Sequence, residues 1–179
     1  ISYIQGEPGV DAERIGVWGS SFAGGNALAV AGQDARVKAI AIQIPGIGGN
    51  PDGTPPMELR GAMLDDAIRR ARTGQGGEMW TGYSRQILVD VEQVAANREN
   101  NTLQWAKNIG QRPFMVIVAE HDELINNERA GKAALAFAKG PSEYLVAPNV
   151  THFEMYSGEP FELSANAAAR WFVTHLAAK

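Results

Sequence analysis

Residues 14–26 read RIGVWGSSFAGGN, from Arg14 to Asn26. An apolar run stops at Gly19, two serines follow, and small residues then take over, interrupted by Phe22. This is the pattern of a strand that turns sharply into a helix. In such a turn the residues two before and two after the corner come close together, so both must be small. Centred on Ser20 the flanking residues are Trp18 and Phe22, which collide. Centred on Ser21 they are Gly19 and Ala23, which fit. The steric frame therefore selects Ser21, in a G-x-S-x-G arrangement with Ala23 in place of the second glycine. Ser20 points away and serves structure. Ser21 then stands at a helix start, where open N–H groups and the positive dipole end favour a developing negative charge. The backbone N–H of Phe22 is the candidate donor to that charge. A serine that merely caps the helix would satisfy the same turn, so the corner needs partners elsewhere in the chain.

Outward from the corner, four strand-like runs stand out: Arg14 to Gly19, Val37 to Ile44, Pro113 to Ala119 and Glu143 to Ala147. The second and third are almost continuously apolar, as in a parallel sheet covered on both faces. Helical patterns lie between them. Phe22 to Ala31 is rich in alanine and is expected to stop at Gly32. A helix is expected after Thr54, with Pro55 at its first position, Leu64, Ile68 and Ala71 on one face, and its end at Gly74. Leu124 to Lys139 reads as a helix stopped by Gly140-Pro141. A last helix from Glu159 to Ala178 carries an apolar stripe of Phe161, Ala165, Ala168, Ala169, Phe172 and Leu176. Strands alternating with helices give a parallel α/β architecture, interrupted by an insert over 46–111.

The chain has 179 residues, 45% hydrophobic and 20% charged, which fits one packed domain. A net charge of −4 and no basic run disfavour nucleic acid. Without cysteine, a disulfide framework, a thiolate metal site and a cysteine nucleophile are excluded. The apolar runs fall short of the ~20 residues that a membrane helix needs. No targeting segment is visible, so a cytoplasmic location is the expectation. The chain starts at Ile1 rather than Met and reads as a fragment or a processed product.

A serine hydroxyl becomes a nucleophile only beside a base that a third group orients. Three histidines are available. His152 follows the fourth strand and is placed, like Ser21, at the edge where parallel strands end and ligands bind. It is the expected base. His175 lies in the last turns of the final helix, where facing the dipole accounts for it. His121 sits in VAEHDEL after the third strand, among Glu120, Asp122 and Glu123. Position in that turn favours Asp122 as the orienting acid, with Glu120 left open.

The stretches VDAERIGVWGSSFAGG, VAEHDEL and NVTHFEMY, in this order, resemble the α/β-hydrolase superfamily, in wording closest to its bacterial esterase, dienelactone-hydrolase-like and peptidase-like members. The resemblance spans the chain up to its last helix. It implies the C-terminal half of that fold: a mostly parallel sheet flanked by helices, a cap-like insert over 46–111, a Ser21–His152–Asp122 triad and no cofactor. Members of the family carry a substantial segment before the elbow strand, with early strands and the second oxyanion donor. Here only a short stretch precedes Arg14. The strand RIGVWG would then present an unpaired edge. The expected partners are therefore a small-molecule ester and the N-terminal part of the same fold, as a separate chain or a missing segment. An oligomer is compatible with this reading; nucleic acid and membrane are not expected.

The glycines of Gly46 to Asn50 allow close approach where the chain leaves the second strand. Ile47, Trp80, Tyr83 and Trp105 are candidates for an apolar pocket lining, against the plainer reading that they form the insert's own core. The arginines Arg60, Arg69, Arg70 and Arg72 read as a solvated helix face. The expected activity is hydrolysis of a carboxylic ester through an acyl-enzyme. A peptidase, a C–C hydrolase and an acyltransferase use the same residues. A non-catalytic binding module of the same fold is the alternative from another class.

Overall fold

The computed structural model describes residues 1–48, 69, 72–74, 79–81, 88–90 and 101–177. The chain forms two compact units. One comprises Ile1–Ile47 and Thr102–Lys179, the other Gly48–Asn101.

The first unit is built on four parallel strands: β1 (Ile15–Ser20), β2 (Val37–Gln43), β5 (Phe114–Ala119) and β6 (Ser142–Ala147), ordered β1-β2-β5-β6. β3 (Met79–Thr81) and β4 (Leu88–Asp90) belong to the second unit and pair antiparallel, Trp80 opposite Val89. In the first unit a short helix α1 (Ser2–Gln5) leads into β1, and α2 (Phe22–Gln33) joins β1 to β2. A 3₁₀ segment (Thr102–Asn108) precedes β5. A π-turn (Glu128–Lys132) runs into α3 (Ala133–Leu135) before β6. After β6 come a 3₁₀ turn (Phe153–Tyr156) and α4 (Gly158–His175).

Every residue of β5 is buried, as are all but one of β2. Their alternating side chains feed two cores. Ile40, Ile42, Phe114 and Val116 face α2, packing with Leu28, Leu103 and Ala106. Ala41, Met115 and Ile117 face α4, packing with Met155, Ala167 and Trp171. Continuous apolar runs thus mark the two central strands, as both faces of a parallel sheet must be covered.

Three sequence expectations change in detail. α2 does not stop at Gly32 but runs to Gln33. A Cβ on Gly32 would lie 2.5 Å from Cβ and the carbonyl oxygen of Trp105, so this glycine makes room for a neighbour rather than a helix end. The helix expected over Leu124 to Lys139 starts only at Glu128, because Asp122 Oδ1 takes the N–H groups of Leu124 and Ile125 and holds that stretch as a turn. The final helix ends at His175, and its buried face is Ser164, Ala167, Ala168 and Trp171. Of the expected stripe, Ala168 is buried and Phe161 is exposed. The stripe is displaced because Trp171 is drawn inward, its indole N–H donating to the Ile40 carbonyl at 3.1 Å. The helix expected after Thr54, with Pro55, Leu64, Ile68 and Ala71, lies almost wholly outside the described residues. Arg72 and Thr73 are helical, and Gly74 follows at φ 71°.

Gly32→Ala tests the close packing against Trp105. Alanine favours a helix interior by roughly 0.5–1 kcal/mol, whereas overpacking against a backbone carbonyl costs about 1–3 kcal/mol. Overpacking should win. The expected outcome is a lower urea midpoint at unchanged m-value, and a raised midpoint would show that Trp105 yields to the added methyl.

Candidate active site

Ser21 lies between β1 and α2 with φ 53° and ψ −123°. A non-glycine residue at positive φ is uncommon and marks strain. The corner is closed tightly: a Cβ on Gly19 would meet the Ala23 carbonyl oxygen at 2.2 Å. That is the close approach of flanking residues expected from the spacing. Four hydrogen bonds hold the Ser21 backbone. Its N–H donates to the Gln43 carbonyl at 2.9 Å, and its carbonyl accepts from Gly24, Gly25 and Gly46 at 2.9, 3.4 and 2.7 Å. A Cβ on Gly25 would strike the Gly46 carbonyl oxygen at 2.2 Å, so the chain leaving β2 clasps the first turn of α2. The Phe22 N–H opens that helix, among the donors that the intrahelical ladder leaves unused. Ser20 points elsewhere, its Oγ 3.0 Å from the Tyr156 hydroxyl.

His152 follows β6 and is buried, its side chain only 2% exposed. Its Nε2 lies 2.9 Å from Ser21 Oγ. Its Nδ1 lies 2.8 Å from Asp122 Oδ2 and 3.0 Å from Oδ1. The Asp122 side chain is fully buried, and its Oδ1 also accepts the Leu124 and Ile125 N–H groups at 2.9 and 2.8 Å. An ionised carboxylate only accepts, so it places the ring proton on Nδ1 and leaves the Nε2 lone pair facing the serine hydroxyl. The three residues expected to meet do meet, although 131 positions separate Ser21 from His152.

The alternatives in the acid turn have other partners. Glu120 accepts the Asn149 N–H at 2.7 Å, and Glu123 accepts the His152 N–H at 2.9 Å. His121 is exposed, and its N–H donates to the Val150 carbonyl at 2.9 Å. His175 ends α4 with its ring 4.1 Å from that of Trp171. Glu154, on the outer side of the histidine loop, accepts from the Thr151 N–H and hydroxyl at 2.8 and 2.6 Å. The hydroxyl, then the N–H, lowers its pKa below the ordinary glutamate range. Sequence reading did not foresee these loop contacts, because a glutamate–backbone bond leaves no motif.

Of the expected pocket lining, the surroundings of Ile47 and Trp105 are described. Ile47 packs against the core on the α2 side of the sheet. Trp105 sits beside Gly32, ten residues along α2 from Phe22 and thus about 15 Å from the corner at the helical rise. Trp80 lies in β3, of whose side chains nothing is described, and Tyr83 lies outside the described residues. Two aromatic residues outside the expected lining stand beside Ser21 and His152. Phe153 packs edge-on to the His152 ring at 5.4 Å between centroids and is 51% exposed, and Phe22 is 55% exposed.

Among known proteins, the chain is similar to the quorum-quenching protein AidA of Acinetobacter baumannii (strain MDR-ZJ06), 36% identical over 200 residues that cover 90% of this chain and 62% of that protein. The alpha/beta hydrolase GrgF from Penicillium sp. sh18 superposes with a TM-score of 0.77 at 22% identity, over 99% of this chain and 69% of that one. An acetyl xylan esterase from Paenibacillus sp. R4 superposes with a TM-score of 0.61 at 21% identity, over 97% and 49%. The profile of the alpha/beta hydrolase fold matches residues 2–155, and the chain therefore belongs to the alpha/beta hydrolase fold family.

Proposed function

We propose that this hydrolase cleaves a carboxylic ester through an acyl-enzyme, with Ser21 as nucleophile, His152 as base and Asp122 as the orienting acid. The observation that carries the reading is the unbroken contact line from Ser21 Oγ to His152 Nε2 at 2.9 Å and from His152 Nδ1 to Asp122 at 2.8 Å. In the first half-reaction, His152 Nε2 takes the hydroxyl proton as Ser21 Oγ attacks the ester carbonyl. The Phe22 N–H donates to the oxyanion that forms. Collapse transfers the proton to the leaving alkoxide, which departs as the alcohol. In the second, His152 deprotonates water, which attacks the acyl carbonyl, and Ser21 leaves with its proton restored. Asp122 stays ionised and stabilises the imidazolium. An ester agrees with the family and with the structural likeness to an acetyl xylan esterase.

A second polypeptide segment, the N-terminal part of the same fold, completes the site in this proposal. β1 ends the sheet among the described residues and pairs with β2 alone. Beside it Trp18, Phe161 and Phe172 line an apolar groove, with Trp18 50% exposed. Such an edge invites strand addition. The added segment would bring the second oxyanion donor.

Ser21→Ala is expected to lower turnover of short aryl esters by roughly 10⁴-fold or more, and intact turnover would end the mechanism. Ser20→Ala should stay within about tenfold of wild type, since its hydroxyl faces Tyr156 and carries none of the triad's loss. A fluorophosphonate probe should label Ser21, and a folded protein that resists labelling would support the binding-module alternative. The 179-residue chain alone should self-associate, or gain turnover when the N-terminal part is supplied. A folded, fully active monomer of this chain would refute the second segment.

A further inference from the structure

β5 and β6 pair in register as far as Ala119 opposite Ala147. Past that point the two chains leave the sheet as the acid turn and the histidine loop, and nothing in a parallel ladder obliges them to stay together. Yet they remain tied. The Glu120 N–H donates to the Ala147 carbonyl at 3.0 Å, and the His121 N–H to the Val150 carbonyl at 2.9 Å. Between and beyond these backbone links, two carboxylates supply further rungs. Glu120 Oε2 accepts the Asn149 N–H at 2.7 Å, and Glu123 Oε2 accepts the His152 N–H at 2.9 Å.

We propose that Glu120 and Glu123 are positioning residues that latch the histidine loop to the acid turn and so set the place of the His152 ring over Ser21. The inference rests on the catalytic reading of Ser21, His152 and Asp122. The acidic residues of the turn divide the work. Asp122 acts on the ring, fixing its tautomer and tilt. Glu123 acts on the His152 backbone, from which the ring hangs. Glu120 acts on Asn149, which stands at φ 56°. A left-handed residue of this kind persists only where its surroundings hold it, and a charged acceptor makes a bond about twice as strong as a neutral one. Catalysis is sensitive to such placement, since a 1 Å shift of a reacting group can cost about 10²-fold.

The test uses the complete protein and three variants, Glu123→Ala, Glu123→Gln and Glu120→Ala, read by aryl acetate kinetics, thermal unfolding and the low-field proton resonance of His152 Nδ1–H. Each alanine variant should lower kcat by roughly tenfold or more while KM stays within about twofold. Glu123→Gln keeps an oxygen acceptor and should recover kcat to within about threefold of wild type. The Nδ1–H resonance should broaden or shift in the alanine variants and stay in place in Glu123→Gln. Folded alanine variants with wild-type kcat and an unmoved resonance would overturn the latch. So would a glutamine variant as impaired as alanine, since that result assigns the effect to charge. If Glu123→Ala does not fold, Glu120→Ala and Glu123→Gln decide the matter by the same criteria. Failure of the catalytic reading is registered separately, by Ser21→Ala retaining turnover, and the resonance alone then judges the latch.

Discussion

The structure depends on one strained corner. Ser21 holds a backbone conformation, φ 53° and ψ −123°, that costs on the order of 1–3 kcal/mol. It persists because its surroundings permit no other path. Gly19 and Ala23 meet with no room for a side chain on the glycine, and the Ser21 carbonyl accepts three N–H groups, one from the loop that follows β2. Relaxing the corner would break these bonds and unseat α2 from the sheet. The strain therefore keeps the hydroxyl at the rim, where an unstrained turn would fold it back onto the helix as a cap.

Strain is also localised. The three non-glycine residues at positive φ among the described residues are Ser21, Ile44 and Asn149, and each lies just beyond the end of a parallel strand. Ile44 is the least tolerant type, being β-branched. It is fully buried, and its N–H donates to the Ile117 carbonyl at 2.7 Å. There the chain swings from β2 towards α2, bringing Gly46 onto the Ser21 carbonyl. The strands beneath pair in parallel, with one register shift between Ile15 and Gly16, and their apolar side chains fill both cores. Burying large side chains such as Phe114, Ile40 and Ile117 contributes roughly 1.5–3 kcal/mol each, which is ample to offset the distortions above them.

Burial shapes the chemistry of the rim. Asp122 and His152 are almost wholly removed from water, where an unpaired charge would be very costly. Each is satisfied by the other. Asp122 also takes two backbone N–H groups, which tie it to the start of the following turn. The same bonds that shorten the expected helix after β5 thus also fix the carboxylate that meets the His152 ring. The departure from a simple helix pattern and the placement of Asp122 have a single cause.

Much of this protein can be read from its residues in order. Spacing around Gly19, Ser21 and Ala23 determined which serine takes the corner, because sterics within five residues are local. Continuous apolar runs determined the central strands, because both their faces are covered. The alternation of strands and helices determined that Ser21, the acid turn and His152 share one rim, because parallel strands end at one edge. Position in the turn favoured Asp122 but left Glu120 open, since the choice depends on where each carboxylate points once β5 and β6 are side by side. Tertiary structure decided that Asp122 reaches the ring while Glu120 and Glu123 reach the loop's backbone. It also decided that Trp171 turns inward and Phe161 outward, and that Gly32 serves Trp105 rather than a helix end. These are contacts between segments remote in the chain, and the physical reason they escape sequence reading is that a contact depends on two addresses while a pattern records only one.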